Sequence, residues 1–194
     1  MATDQFISPF PEDIDREAFG AWLSGFTDAD GSFSLHLYQS SAGCPTPLAI
    51  YSIYLRDDDF AILQQIQSFL GCGRIDHISR ADQRAKGHDT KDCYSFNVRR
   101  VAQLISCVLP HFQRFPLLAK KRRDLAVFRE AVLFLHRCTT GPRLHKGRKG
   151  ATVWSPQRLD YFRALIETLD ATRAYLAPEI PLPEPPPPEP GLFD

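Results

Sequence analysis

Between residues 15 and 38 the hydrophobic period changes from that of a helix to that of a strand at a single glycine. In DREAFGAWLSGFTDA (15–29), Phe19, Trp22, Leu23 and Phe26 recur at helical spacing. Asp15 stands where an N-cap belongs, and Glu17 suits the positive end of the helix dipole. Gly31 ends the pattern. From Gly31 to Tyr38 the apolar Phe33, Leu35 and Leu37 alternate with Ser32, Ser34, His36 and Tyr38, as in a strand buried on one side.

The same reading continues along the chain. A loop with Gly43, Pro45 and Pro47 leads to a β-branched and aromatic run, Leu48 to Arg56, which predicts the partner strand of a hairpin. Asp57, Asp58 and Asp59 precede an amphipathic helix carrying Phe60, Leu63, Ile66 and Leu70 that ends at Gly71. Strands follow at Arg74 to Ile78 and Cys93 to Arg99, separated by the polar loop SRADQRAKGHDTKD. Helical spacing then covers Arg100 to Leu109, Leu117 to Arg137 and Pro156 to Tyr175. The order α-β-β-α-β-β-α implies an α+β fold, an antiparallel four-stranded sheet with helices on one face and the other face open.

A chain of 194 residues is long enough for one domain with a sizeable core. Residues 15–177 are expected to form it, with 1–14 as an N-terminal arm and the proline-rich, acidic 178–194 as an extended or disordered tail. A proline-recognising partner is the alternative to a passive tail. No membrane-spanning run and no secretion signal is evident, so an intracellular protein is expected. The five cysteines lack a C-x-x-C pair and are read as reduced.

Zero net charge conceals segregation. Arg74 to Lys149 holds 18 basic against 6 acidic residues, whereas residues 1 to 73 hold 2 against 10. Such a basic stretch is the footprint expected of a surface that follows a phosphate backbone. A solvated surface whose charges cluster only in sequence would give the same count.

At the helix–strand switch lies Leu23-Ser24-Gly25-Phe26-Thr27-Asp28-Ala29-Asp30-Gly31. Gly20 with Ser24, and Ala21 with Gly25, place small residues four apart and predict a face that a second helix can approach closely. Two such helices side by side would bring two Asp30 carboxylates together, which is unfavourable unless hard cations lie between them. A helix end capped by Gly31 would explain a bare D-x-D-G without chemistry. A calcium loop fails, because its spacing puts Phe26 and Leu37 at ligand positions.

This segment resembles the LAGLIDADG motif, with Leu23, Gly25, Asp28, Ala29, Asp30 and Gly31 identical to it. Together with the element order, it identifies the chain as similar to single-motif homing endonucleases, whose αββαββα fold sets a saddle-shaped sheet in the DNA major groove. The resemblance implies a homodimer joined through Gly20, Ala21, Ser24, Gly25 and Asp28 on a long pseudo-palindromic DNA site. Asp30 and the Ala29 carbonyl would bind divalent metal, Mg2+, for hydrolysis of one phosphodiester per strand, leaving short 3′ overhangs.

Further roles follow from the resemblance. Lys120 or Lys121 is expected to reach the active site and polarise the scissile phosphate or position water. The family's water-positioning glutamine falls here on Leu55, so Arg56 or Asp59 would have to substitute. Strand alternation assigns Ser32, Ser34, His36, Tyr38, Ser52, Tyr54, Arg56, Arg74, Asp76, Ser95, Asn97 and Arg99 to the DNA-binding face. Phosphate contacts are expected from Arg80, Arg84, Lys86, Lys91, His145, Lys146, Arg148 and Lys149. Two other functions use the same fold: a maturase that binds intron RNA, and a DNA-binding regulator that no longer cuts.

Overall fold

Asp15 starts the first helix as its position predicts: its carboxylate accepts the N–H groups of Glu17 and Ala18 at 2.8 and 3.3 Å. The computed structural model describes residues 7–39, 45–140, 154–174 and 180–187. Helix α1 spans Arg16–Asp30 and passes directly into strand β1, Gly31–Gln39. Gly31 is extended, with φ −73° and ψ 159°, so its conformation suits any residue. Space is what demands glycine there. A Cβ would lie 2.6 Å from Thr27 Cγ2 and 2.9 Å from Thr27 Cα.

Strand β2 is Pro45–Arg56, followed by a short 3-10 turn at Asp57–Asp59 and helix α2, Phe60–Leu70. Gly71 closes α2 in the left-handed conformation, φ 64°, which favours glycine. Then come β3 (Arg74–Ile78), the short helix α3 (Ala81–Ala85) and β4 (Cys93–Val98). The strands form one four-stranded antiparallel sheet in the order β1-β2-β4-β3. The fold class is α+β, as expected.

Register divides the sheet into two faces. Tyr51 pairs with Val98, and Ile53 with Phe96, which also faces Ile75; this face is the core. Helix α1 meets it through a buried hydrogen bond of 2.8 Å between the Thr27 and Tyr51 hydroxyls. Burial drives the Tyr51 phenol well above its ordinary range, so the group stays neutral.

Beyond β4, α4 (Val101–Gln103), a π-helical turn (Leu104–Val108) and α5 (Leu109–Arg114) follow without interruption. Periodicity ended this helix at Leu109 because Pro110 follows. The π turn accommodates the proline: the Leu109 N–H reaches back five residues to Leu104, relieving the register in which the pyrrolidine ring would strike a carbonyl. Phe112 on α5 then packs against Phe33 and Tyr51.

Residues Leu117 to Ala119, expected to be helical, are not. Helix α6 begins at Lys121 and runs to Thr140, and α7 is Pro156–Thr172. The chain forms two compact units, Met1–Ser34 with Ile50–Arg122 and Leu35–Ala49 with Arg123–Asp194. In the second unit the buried Asp124 carboxylate accepts the Thr172 hydroxyl at 2.9 Å and Arg173 Nε at 3.3 Å, tying α6 to α7. Residues 180–187 form no helix or strand, and Ile180, Pro183 and Pro186 are half-buried at three-residue spacing. Among the described residues, no helix is long and apolar enough to cross a membrane.

Candidate active site and nucleic-acid interface

Asp30 ends α1 with its side chain exposed, one residue before the chain enters the sheet. Lys121 reaches the same junction. Its ammonium donates to the Gly31 carbonyl at 2.5 Å and approaches the Ala29 carbonyl at 3.4 Å, the two residues that flank Asp30. Lys120 is exposed and makes no such contact, so of the two candidate lysines it is Lys121 that stands at this junction.

The Asp30 carboxylate and the carbonyls of Ala29 and Gly31, the two that draw in the Lys121 ammonium, are hard oxygen donors on three consecutive residues. This donor chemistry fits magnesium better than a softer metal. One chain offers one carboxylate. Among the described residues no group of three His, Cys, Asp or Glu side chains gathers to hold an ion.

Helix α1 has two lines of small residues, and the structure separates them. Gly20 and Ser24 face their own chain, correcting the expectation that they line a seam with a partner. A Cβ on Gly20 would lie 2.4 Å from the Phe115 ring, and Ser24 Oγ donates to the Phe115 carbonyl at 2.6 Å. Asp28 also turns inward and accepts the N–H groups of Leu118 and Ala119 at 2.9 and 3.0 Å. The outer line is different. Ala18, Ala21, Trp22, Gly25 and Ala29 are exposed, and a Cβ on Gly25 would meet nothing within 4 Å.

The sheet face opposite the core carries the residues that alternation assigned to DNA. Ser52, Asn97 and Arg74 form one cross-strand row, and Tyr54, Ser95 and Asp76 the next. Their exposure is uneven. Ser52, Ser95 and Asn97 are buried at 3%, 3% and 4%, whereas Tyr54 is 52% exposed. Asn97 Nδ2 donates to Ser95 Oγ at 2.8 Å, forming a closed polar floor. The expectation that all three project as base readers is corrected, because they are buried in the two central strands of the sheet. Arg74 pairs with Asp76 at 2.6 Å on the rim of this floor.

On β1, Ser32 and Ser34 are half-buried and share a hydroxyl contact of 3.2 Å, while His36 and Tyr38 are exposed. Arg99 is exposed just past β4. Arg56 forks onto Asp58 at 3.2 and 2.7 Å, so its guanidinium is engaged by that carboxylate. Leu55 is half-buried and Asp59 exposed.

A residue that sequence reading passed over organises the β3–β4 connection. Asp92 accepts the Arg80 N–H at 2.8 Å, the Arg84 guanidinium at 2.7 Å and His77 Nε2 at 3.2 Å. The Arg84 bond and the Arg80 amide pull its carboxyl down to about 2. Arg84 is thereby a brace for the loop, while Lys86 and Lys91 stay exposed. His145, Lys146, Arg148 and Lys149 lie outside the described residues.

An acidic helix end joined to a strand, a lysine drawn to it and a polar sheet face are the distinguishing features of this α+β architecture. The profile of the LAGLIDADG endonuclease family matches residues 23–132, and the chain belongs to that family. It is 29% identical over 126 residues to the homing endonuclease I-ApeII of Aeropyrum pernix, covering 64% of this chain and 68% of that protein. It is 28% identical over 115 residues to the probable intron-encoded endonuclease 2 of Neurospora crassa, covering 58% of this chain and 23% of that protein. The I-LtrWI LAGLIDADG homing endonuclease bound to target DNA superposes with a TM-score of 0.63 at 15% identity, over 84% of this chain and 47% of that one. The chain thus spans less than half the length of these last two proteins.

Proposed function

We propose that the protein is a site-specific, intron-encoded double-stranded DNA endonuclease that hydrolyses one phosphodiester on each strand and leaves short 3′ overhangs. The observation that carries this reading is the junction itself, an exposed Asp30 flanked by carbonyls that draw in the Lys121 ammonium. A magnesium ion held by Asp30 and the Ala29 carbonyl would supply the charge that activates water and stabilises the leaving oxygen. Asp30 contributes fixed negative charge, and Lys121 brings a positive charge to the place where a scissile phosphate would lie.

A second motif comes from a second copy of the chain. The exposed line of α1, with Gly25 and Ala21 permitting close approach and Trp22 at its edge, is the surface on which the homodimer forms. Residues 15–177 are the endonuclease domain in this reading, with 1–14 an arm and 178–194 a tail. A dimer would present two copies of the polar sheet face to a pseudo-palindromic duplex. That substrate places the protein's action inside the cell.

Selection of cleaved sites from a randomised duplex library in magnesium would identify the target. On that target Asp30→Asn is expected to bind with unchanged affinity and to lose more than about a hundredfold in cleavage, beyond the range typical of outer-shell residues. Cleavage by this variant at the normal rate would overturn the assignment.

A further inference from the structure

The inward line of α1 has no assigned task, yet its three members grip consecutive parts of one segment. Gly20 makes room for the Phe115 ring, Ser24 holds the Phe115 carbonyl at 2.6 Å, and Asp28 holds the N–H groups of Leu118 and Ala119. That segment ends at Lys121, whose ammonium returns to the carbonyls on either side of Asp30. The two stretches of chain are laced in both directions.

From this arrangement we propose that Asp28 is a positioning residue for Lys121, fixing the segment that presents the lysine to Asp30. The inference rests on the nuclease reading for its consequence in catalysis, but not for its structural content. Leu117 is buried just before it and the Ala119 carbonyl accepts the Arg122 N–H at 3.2 Å, but the N–H groups of Leu118 and Ala119 are held from outside the segment by Asp28. Leu118 is 85% exposed, Ala119 and Lys120 are exposed, and Pro116 has no N–H to offer. The two N–H groups precede the first turn of α6, where donors lack helical partners, and a carboxylate oxygen is a strong acceptor for them. Asp28 Oδ2 takes both bonds, whereas Oδ1 is buried without a hydrogen-bond partner. One oxygen therefore does the positioning, and an asparagine could supply it.

Site-resolved acylation of the full-length protein, read by mass spectrometry, tests this without reference to cleavage. Lys120 serves as the internal reference. Lys121 should react more slowly than Lys120 in the parent chain, because its ammonium is held by two carbonyls. Asp28→Ala should raise the Lys121 to Lys120 ratio about tenfold, the scale of one lost charge-assisted hydrogen bond. Asp28→Asn should leave it low. In single-turnover cleavage of the selected target, the alanine variant should lose rate while retaining DNA affinity, and the asparagine variant should recover most of that rate.

An unchanged ratio in a folded Asp28→Ala protein would overturn the proposal, as would a ratio raised equally by asparagine. If circular dichroism shows that Asp28→Ala is unfolded, Ala119→Pro removes one of the two donors near a helix start that tolerates proline. That variant should raise the ratio too, and no rise would again overturn the proposal. Should the parent chain cut no target, the labelling result still decides what Asp28 does.

Discussion

His111 offers the sharpest test of how the motif helix is held. It is 6% exposed, enclosed by the rings of Phe69, Phe112 and Phe115, and its Nε2 lies 3.2 Å from Ser24 Oγ. Ser24 spends its own hydrogen on the Phe115 carbonyl, so Nε2 must be the donor to Ser24. Nδ1 is left buried with no partner. A proton there would have no acceptor, and burial lowers the imidazole from 6.5 to about 4. Because the folded pKa is depressed, the unfolded chain binds the extra proton first, and stability falls as pH drops below 6.5 and levels off below about 4. At pH 5 the loss from this one group amounts to about 2 kcal/mol, at roughly 1.4 kcal/mol per unit of separation. His111→Phe removes the titration while keeping an aromatic ring, and Ser24 keeps its carbonyl partner. Urea midpoints of both proteins at pH 7.5 and pH 5.0 isolate the effect, since the carboxylates are common to both. The variant should lose about 2 kcal/mol less than the parent between these conditions. Equal losses would refute the account of His111 as a neutral buried donor.

Two other predictions concern surfaces. Gly25→Glu points into open space on α1, so it should leave thermal stability within about 0.5 kcal/mol of the parent, as for most surface changes, yet shift sedimentation from dimer to monomer. A dimer surviving this change would show that the outer line of α1 is not the interface. On the sheet, Tyr54→Ala should relax base preference at one target position with little effect on folding, while Asn97→Ala should lower stability by roughly 1–3 kcal/mol and leave base preference intact. Profiling cleaved sites from a randomised library separates these outcomes, and a changed preference in the Asn97 variant would contradict the closed floor.

Much of the frame was legible from local chemistry. Asp15, the 3.6-residue spacing of Phe19, Leu23 and Phe26, and the alternation after Gly31 are all determined within a few neighbouring residues. The cap and both periods were found where expected. The faces of the sheet were legible for the same reason. What alternation does not contain is cover: Ser52, Ser95 and Asn97 lie on the outward face but are buried in the two central strands of the sheet. Which line of α1 turns inward is likewise set by Phe115 and Leu118, 91 and 90 residues away in the chain from Ser24 and Asp28. The helical spacing from Leu117 was misleading because Asp28 claims the N–H groups of Leu118 and Ala119 from outside. Lys120 and Lys121 are equivalent as letters, and what distinguishes them is the contact of Lys121 with the Ala29 and Gly31 carbonyls, far away in the chain.

The division of α1 into an inner and an outer line also bears on how such a protein can change over generations. Gly20, Ser24 and Asp28 are committed to the chain's own fold, and the opposite side, in the proposed dimer, would be committed to a second copy. Drift there has little neutral ground. Tyr54 and the Arg74–Asp76 pair carry no such obligation, standing on strands at a distance from both lines. If the proposed function holds, retargeting to a new DNA sequence would proceed by exchanging rim side chains and leave the Asp30 junction untouched.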